Sequence, residues 1–153
     1  MNIKIRTMKT GDLPAVAILC GELGYGDRAD SLAGRFPALA RDPDHGLYVA
    51  VDDAGGVVGF IHVSARRTLH TDAAAQVLAM AVAEKRRRQG IGSALLAEAE
   101  AWAAERGLAS VMLYSADRHH DAHGFYAALG YRPAVGLARY DKALIAAAKR
   151  RKA

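Results

Sequence analysis

Val82-Ala83-Glu84-Lys85-Arg86-Arg87-Arg88-Gln89-Gly90-Ile91-Gly92-Ser93 is the stretch on which the reading of this chain turns. It follows Gln76-Val77-Leu78-Ala79-Met80-Ala81-Val82, a short, bounded apolar run that suits a central strand. It precedes Gly92 to Arg106, where Leu95, Leu96, Ala99, Trp102 and Ala103 fall on one helical stripe and Gly107 offers a C-terminal stop. A helix N-terminus presents unpaired N–H groups and the positive end of the macrodipole. Glycines at 90 and 92 let a phosphate oxygen approach that backbone closely, and arginine beside them adds charge-assisted hydrogen bonds. The segment therefore reads as an anion cradle. It is not a Walker loop, because the Gly-x-x-x-x-Gly-Lys-Ser/Thr spacing is missing, and it is not a dinucleotide fingerprint, because Leu95 stands where the third glycine belongs. A solvated basic run or a nucleic-acid patch is the alternative, but neither requires Gly-x-Gly at the mouth of an apolar helix.

Upstream of this segment, Ile3 to Arg6 alternates as a short first strand, and Thr10 and Asp12 offer N-cap side chains. Leu13, Val16, Ala17 and Cys20 then recur at helical spacing, with Pro14 tolerated in the first turn. Leu32 to Ala40 is weakly amphipathic and predicts a short second helix between loops. Leu47 to Val51 and Val57 to Val63 are β-rich runs around the turn cluster Asp52-Asp53-Ala54-Gly55-Gly56, which predicts an antiparallel hairpin. Downstream, Ser110 to Tyr114 reads as a strand, Ala122, Phe125, Tyr126 and Leu129 as a helix, and Val135 to Tyr140 as a closing strand. A basic tail starts at about residue 146.

With 153 residues, 52% hydrophobic and 24% charged, the chain suits one soluble α/β domain spanning 1–153. Cys20 alone excludes an intrachain disulfide and a multi-thiolate metal site. A reducing, cytoplasmic setting is expected. Neither a secretory h-region near the start nor a bilayer-length apolar run is present, so no membrane association is expected. Charge is uneven: residues 1–76 carry 8 Lys+Arg against 9 Asp+Glu, and residues 77–153 carry 13 against 7. The second half should meet a polyanion, and a phosphorylated cofactor accounts for it without nucleic acid.

Arg87-Arg88-Gln89-Gly90-Ile91-Gly92 resembles the acetyl-CoA signature Arg/Gln-x-x-Gly-x-Gly/Ala of the GNAT N-acetyltransferase superfamily. The likeness extends to Glu22-Leu23-Gly24-Tyr25, to the hairpin ending Gly59-Phe60-Ile61-His62, and to Ala122-His123-Gly124-Phe125-Tyr126-Ala127-Ala128-Leu129-Gly130-Tyr131. It implies the acyl-CoA N-acyltransferase fold: a mixed central sheet of about six to seven strands, splayed at the coenzyme site and flanked by about four helices. It implies that Arg87, Arg88, Gln89, Gly90, Ile91, Gly92 and Ser93 hold the coenzyme pyrophosphate. It also implies that Met80, Ala81 and Val82 pair with the pantetheine arm, and that Phe125 and Tyr126 stand beside the thioester. Glu22, Tyr25 and Gln76 become candidate acceptor contacts. Dimerisation is common in that superfamily, and no residue here decides it.

The implied reaction moves an acetyl group from acetyl-CoA to a primary amine, of a small molecule or of a protein or peptide, by direct attack in a ternary complex. An amine of pKa about 10.4 is neutral in only about one molecule in 2,500 at pH 7, a deficit of roughly 4.6 kcal/mol, so a proton acceptor is wanted. Many superfamily members carry a glutamate where this chain has Gln76, which cannot accept a proton. Glu22, Asp72, His62, His70 and solvent are the alternatives. Tyr126, a phenol of pKa near 10, can protonate a thiolate leaving group. No metal is expected: His119 and His123 lack a third ligand and a HExxH pattern. An acyl-CoA-binding module without chemistry is the competing reading, and a nucleic-acid-binding protein a more distant one.

Overall fold

The computed structural model describes residues 2–24, 29–115, 120–134 and 139–144, in two compact units, Met1–Ala116 and Asp117–Ala153. The first unit holds the strands β1 (Lys4–Thr7), β2 (His45–Val51), β3 (Val57–Arg66), β4 (Ala74–Val82) and β5 (Val111–Leu113). It also holds the helices α1 (Leu13–Glu22), α2 (Ala29–Arg41) and α3 (Ile91–Glu105). The second holds α4 (His120–Ala128). The order of elements follows the sequence pattern, and the described residues form four α-helices, the number expected. The sheet is five-stranded among the described residues, fewer than the six to seven expected. Val135 to Tyr140, read as a closing strand, falls on 135–138, which lie outside the described residues, and on Arg139 and Tyr140, which are not in a strand. No described helix is long and apolar enough to cross a membrane.

The strands lie in sequence order, β1-β2-β3-β4-β5, antiparallel except for the parallel pair β4/β5. Parallel neighbours need a crossover, and α3 supplies it. Register assigns the faces. Phe60 pairs with Val49 and Ala81, and all three bury against Met8 and the Leu13, Val16 and Leu19 side chains of α1. Gly59, Ile61 and Val63 point the other way, to α3, whose Ile91, Leu95, Leu96, Ala99, Trp102 and Ala103 are buried. The α1 stripe is offset from the expected one: Leu19 is buried, while Cys20 is half-buried beside it, its thiol pushed up by burial. The segment is apolar on almost every face, so periodicity alone does not choose between the two positions.

α2 runs beyond both ends of the Leu32 to Ala40 piece read from sequence, and Pro37 sits inside it. Proline removes one main-chain donor there, and the Arg41 side chain donates to the Pro37 carbonyl at 3.1 Å. Asp12 does not cap α1 with its carboxylate. It accepts instead from the Lys9 amide at 2.7 Å and from both terminal nitrogens of Arg6, at 2.7 and 2.9 Å, fastening the end of β1 to the turn before α1. Arg6 holds the Asp12 carboxyl below its ordinary value.

Two glycines set how closely α3 lies on the sheet. A Cβ on Gly59 would come within 3.1 Å of the Ala81 carbonyl and of Leu95. A Cβ on Gly46 would stand 2.8 Å from Trp102 Nε1 and 3.0 Å from Val63 Cγ1. The indole cannot yield by a side-chain rotation, since it is buried and Arg106 lies over its ring at 4.2 Å. Gly46→Ala should therefore lower the free energy of unfolding by about 1–3 kcal/mol. Urea titration at pH 7 tests this, and an unchanged midpoint would show that the α3–sheet contact is loose.

Candidate active site

β4 is the strand on which the site is built. Its first half pairs on both sides: Ala75, Gln76 and Val77 lie opposite Val111, Met112 and Leu113 of β5. β5 ends there, and β4 continues through Leu78 to Val82 paired only with β3 among the described residues. Among the described residues one side of that half has no strand partner, as in a sheet splayed at this point. The β3 pairing slips at the same level: Val63 faces Val77 and His62 faces Ala79, so Leu78 is the extra residue of a bulge and is 45% exposed. Met80 and Val82 are half-buried and Ala81 is buried in the core, so what these three residues offer the open edge is main chain.

After Val82 the chain makes a 3-10 turn, Glu84 to Arg86, and two left-handed residues: Arg88 at φ 64° and Gly90 at φ 81°. Gly90 is the N-cap of α3, and no side chain caps the helix. An added Cβ at Gly90 would touch nothing within 4 Å, so glycine is needed there for its backbone angle and not for space. The first-turn N–H groups of Ile91, Gly92 and Ser93 have no acceptor within the helix. Lys85, Arg87 and Arg88 are exposed next to them. Arg87 Nε donates to the Val82 carbonyl at 3.3 Å. Positive φ, a helix N-terminus and exposed guanidinium groups bring together donors suited to a phosphate-bearing ligand.

Arg86 behaves differently from its neighbours. Its Nη1 donates to Asp52 Oδ2 at 3.0 Å, with both side chains 19% exposed, and its Nε donates to Gln89 Oε1 at 3.2 Å. Asp52 closes the β2–β3 turn by accepting from the Ala54 and Gly56 amides through Oδ1, at 3.1 and 2.8 Å. The Gly56 amide and the Arg86 guanidinium hold its carboxyl below the ordinary range. From sequence Asp52 reads as a turn residue, and Arg86 is not among the residues the signature marks. The turn cluster signals the first role, and nothing local signals a partner 34 residues away.

Of the candidate acceptor contacts, Gln76 is half-buried on the same sheet face as Ala79, opposite Ser64, and Glu22 is exposed at the end of α1. Tyr25 lies outside the described residues. Among the alternative bases, Asp72 and His70 are exposed in the β3–β4 connection. His62 shares the face of Gln76 and Ala79, and its Nε2 lies 2.8 Å from His45 Nδ1. Burial first, and the His45 charge second, bring its pKa down to about 4, so its ring is neutral at pH 7. Among the described residues no group of three metal-ligating side chains occurs. In the second unit, the Phe125 and Tyr126 rings meet edge to face with centroids 5.2 Å apart, and Tyr131 lies 6.0 Å from Tyr126. Burial raises the Tyr126 phenol above its ordinary value. A cavity of about 120 Å³ between Phe36, Tyr48 and Trp102, lined also by His45, adjoins β2, on the far side of β3 from the β4 edge.

Residues 16–131 match the profile of the Acetyltransferase (GNAT) family. The chain belongs to that family. Solved structures share its fold. A transcriptional regulator from Bacillus halodurans C-125 superposes with a TM-score of 0.79 at 25% identity, over 92% of this chain and 100% of that one. The aminoglycoside 6'-N-acetyltransferase AAC(6')-Ih from Acinetobacter baumannii gives a TM-score of 0.81 at 19% identity, over 94% and 99%. Glucosamine-6-phosphate N-acetyltransferase from Arabidopsis thaliana gives 0.78 at 17%, over 93% and 100%. No curated protein matches by sequence.

The His62 ring carries a pH consequence for this GNAT chain. Its folded pKa lies below the ordinary 6.5, so the unfolded chain takes up the proton first, and the stability present above pH 6.5 is lost as pH falls toward 4. His62→Gln should shrink the drop in unfolding free energy between pH 7 and pH 4.5 by roughly 2 kcal/mol. Parallel urea titrations at the two pH values measure this, and an identical drop in both proteins would show that His62 is not buried neutral.

Proposed function

We propose that this chain is an acetyl-CoA-dependent N-acetyltransferase, working as a single catalytic domain on a primary amine. The observation that carries the reading is the pair of left-handed residues, Arg88 and Gly90, which turn the main chain at the open end of β4 into α3. In this reading the amides from Arg88 to Ser93 bind the pyrophosphate, with Arg87 and Arg88 adding charge-assisted hydrogen bonds. Met80, Ala81 and Val82 offer main-chain partners to the pantetheine arm along the unpaired edge, as an added strand would use them. A backbone N–H of the same strand meets the developing oxyanion. Bound coenzyme supplies the activated acetyl group.

Tyr126 is the general acid for the departing thiolate, with Phe125 beside it. The phenol is protonated at neutral pH, and burial, which raises its pKa, keeps that proton in place until the thiolate forms beside it. The proton lost by the amine goes to water, since a His62 pKa of about 4 leaves its imidazole a weak base, and Gln76 orients the amine or that water by hydrogen bonding. Exposed Glu22, Asp30 and Asp72 favour a cationic acceptor. Relatives of this fold include enzymes named for aminoglycosides and for glucosamine-6-phosphate, which supports a small-molecule amine. Tyr25 is retained as a candidate acceptor contact.

Calorimetry with coenzyme A at low ionic strength is the direct test, with saturable binding expected; folded protein that gives no heat would end the reading. Gly90→Val should weaken binding at least tenfold, because a β-branched residue resists φ near +80°. A screen of polyamines, aminoglycosides, amino acids and peptides, scored by thiol release, then finds the acceptor. With that acceptor, Tyr126→Phe should lower kcat roughly 100-fold and leave KM for acetyl-CoA within about threefold. Unchanged kcat would remove Tyr126 as the acid. Coenzyme binding without turnover on any amine would favour the non-catalytic module.

A further inference from the structure

We propose that Asp52, in the turn between β2 and β3, is a positioning residue for the coenzyme: through its ion pair with Arg86 it holds the Arg87–Ser93 segment in the shape that grips the pyrophosphate. This rests on the coenzyme reading above and names a residue outside the cradle. Asp52 is divided between two tasks by atom. Oδ1 accepts the Ala54 and Gly56 amides and so belongs to the turn, while Oδ2 accepts Arg86 Nη1 at 3.0 Å. The turn is also tied at its base, where the Asp52 amide donates to the Gly56 carbonyl at 2.9 Å, so its anchor point is fixed before Arg86 arrives.

From that anchor the constraint passes forward. Arg86 Nε donates to Gln89 Oε1, one residue before the left-handed Gly90. Arg87 Nε is bonded back to the Val82 carbonyl at 3.3 Å. Arg88, between these two ties, keeps φ at 64°, a conformation that a non-glycine residue holds only when its surroundings impose it. The hairpin turn thus acts as a strut under a strained loop. Arg86 is occupied within the protein, and the phosphate-facing cations are Arg87 and Arg88.

Asp52→Asn separates positioning from electrostatics because the two predict opposite signs. The amide keeps an oxygen for the Ala54 and Gly56 amides and presents an NH2 group to Arg86, so the strut is lost while the turn remains. Removing a negative charge near a polyanionic ligand would by itself tighten binding. Release of the strut should weaken it. In calorimetry the Kd of coenzyme A should rise about tenfold in Asp52→Asn. The ratio of kcat/KM for acetyl-CoA to that for S-acetylpantetheine, which lacks the pyrophosphate, should fall by a similar factor. Arg86→Gln should repeat both effects, and the double variant should be no worse than either single one, as expected for two residues acting as one unit.

Asp52→Asn protein with unchanged or tighter coenzyme binding would overturn the proposal. So would an equal loss with both thioesters, which would point to general loosening of the domain. If the parent protein itself gives no heat with coenzyme A, the coenzyme reading falls and this proposal falls with it. If the parent binds and Asp52→Asn binds as well, only the strut falls.

Discussion

The structure depends on the unequal pairing of β4. Against β3 it is bonded along nearly its whole length, whereas against β5 it is bonded for three residues and then released. Main-chain donors and acceptors that leave a ladder need another partner, so a strand that is central at one end and an edge at the other is poised to receive one. The crossover through α3 fixes where the release occurs, because α3 must begin just past the free end of β4 and return the chain to its paired end. Gly59 and Gly46 let that helix settle closely on the sheet. Close packing on one face, and beside it an edge without a strand partner among the described residues, are thus consequences of the same connection.

Core and site divide the labour along single strands. In β4, Ala75, Val77 and Ala81 are buried, and Leu78, displaced by the bulge, is not. The bulge lets the strand keep apolar side chains in the core on both sides of the slip while the faces exchange. On the face toward α1 and α2 the pattern passes from the apolar Val49, Phe60 and Ala81 to the polar His45, His62 and Gln76 within a few residues. The polar end is where an acceptor would find hydrogen-bonding groups, and the apolar end is what keeps the sheet in place.

Much of this was legible in the sequence because it is local. The Gly-x-Gly after a basic run and the amphipathic stripe of α3 depend on residues close together in the chain, and both appear where the pattern put them. The short strand-like runs were found for the same reason, with ends that moved. Strand β2 reaches back to His45, which pairs with Ser64, and β3 forward to Arg66, which pairs with Ala74 of β4, a benefit that no single run displays. The second helix, read over Leu32 to Ala40 with Pro37 inside it, extends from Ala29 to Arg41. The His45–His62 contact and the Asp52–Arg86 pair join residues 17 and 34 positions apart, and nothing in either segment alone announces its partner. Non-local contacts of this kind make the site, which is why the fold was easier to read than the chemistry.

The chain has one tryptophan, Trp102, sealed against Gly46 and covered by the Arg106 guanidinium. It lies eleven residues into α3 from Ile91, about 16 Å along the helix axis from the cradle. Its indole is a single built-in fluorophore that reports the seam between helix and sheet, away from the ribose and adenine of any nucleotide gripped at the helix start. Emission from this one ring can follow unfolding in the presence of a ligand that absorbs in the ultraviolet, with no added dye and no competing indole to subtract.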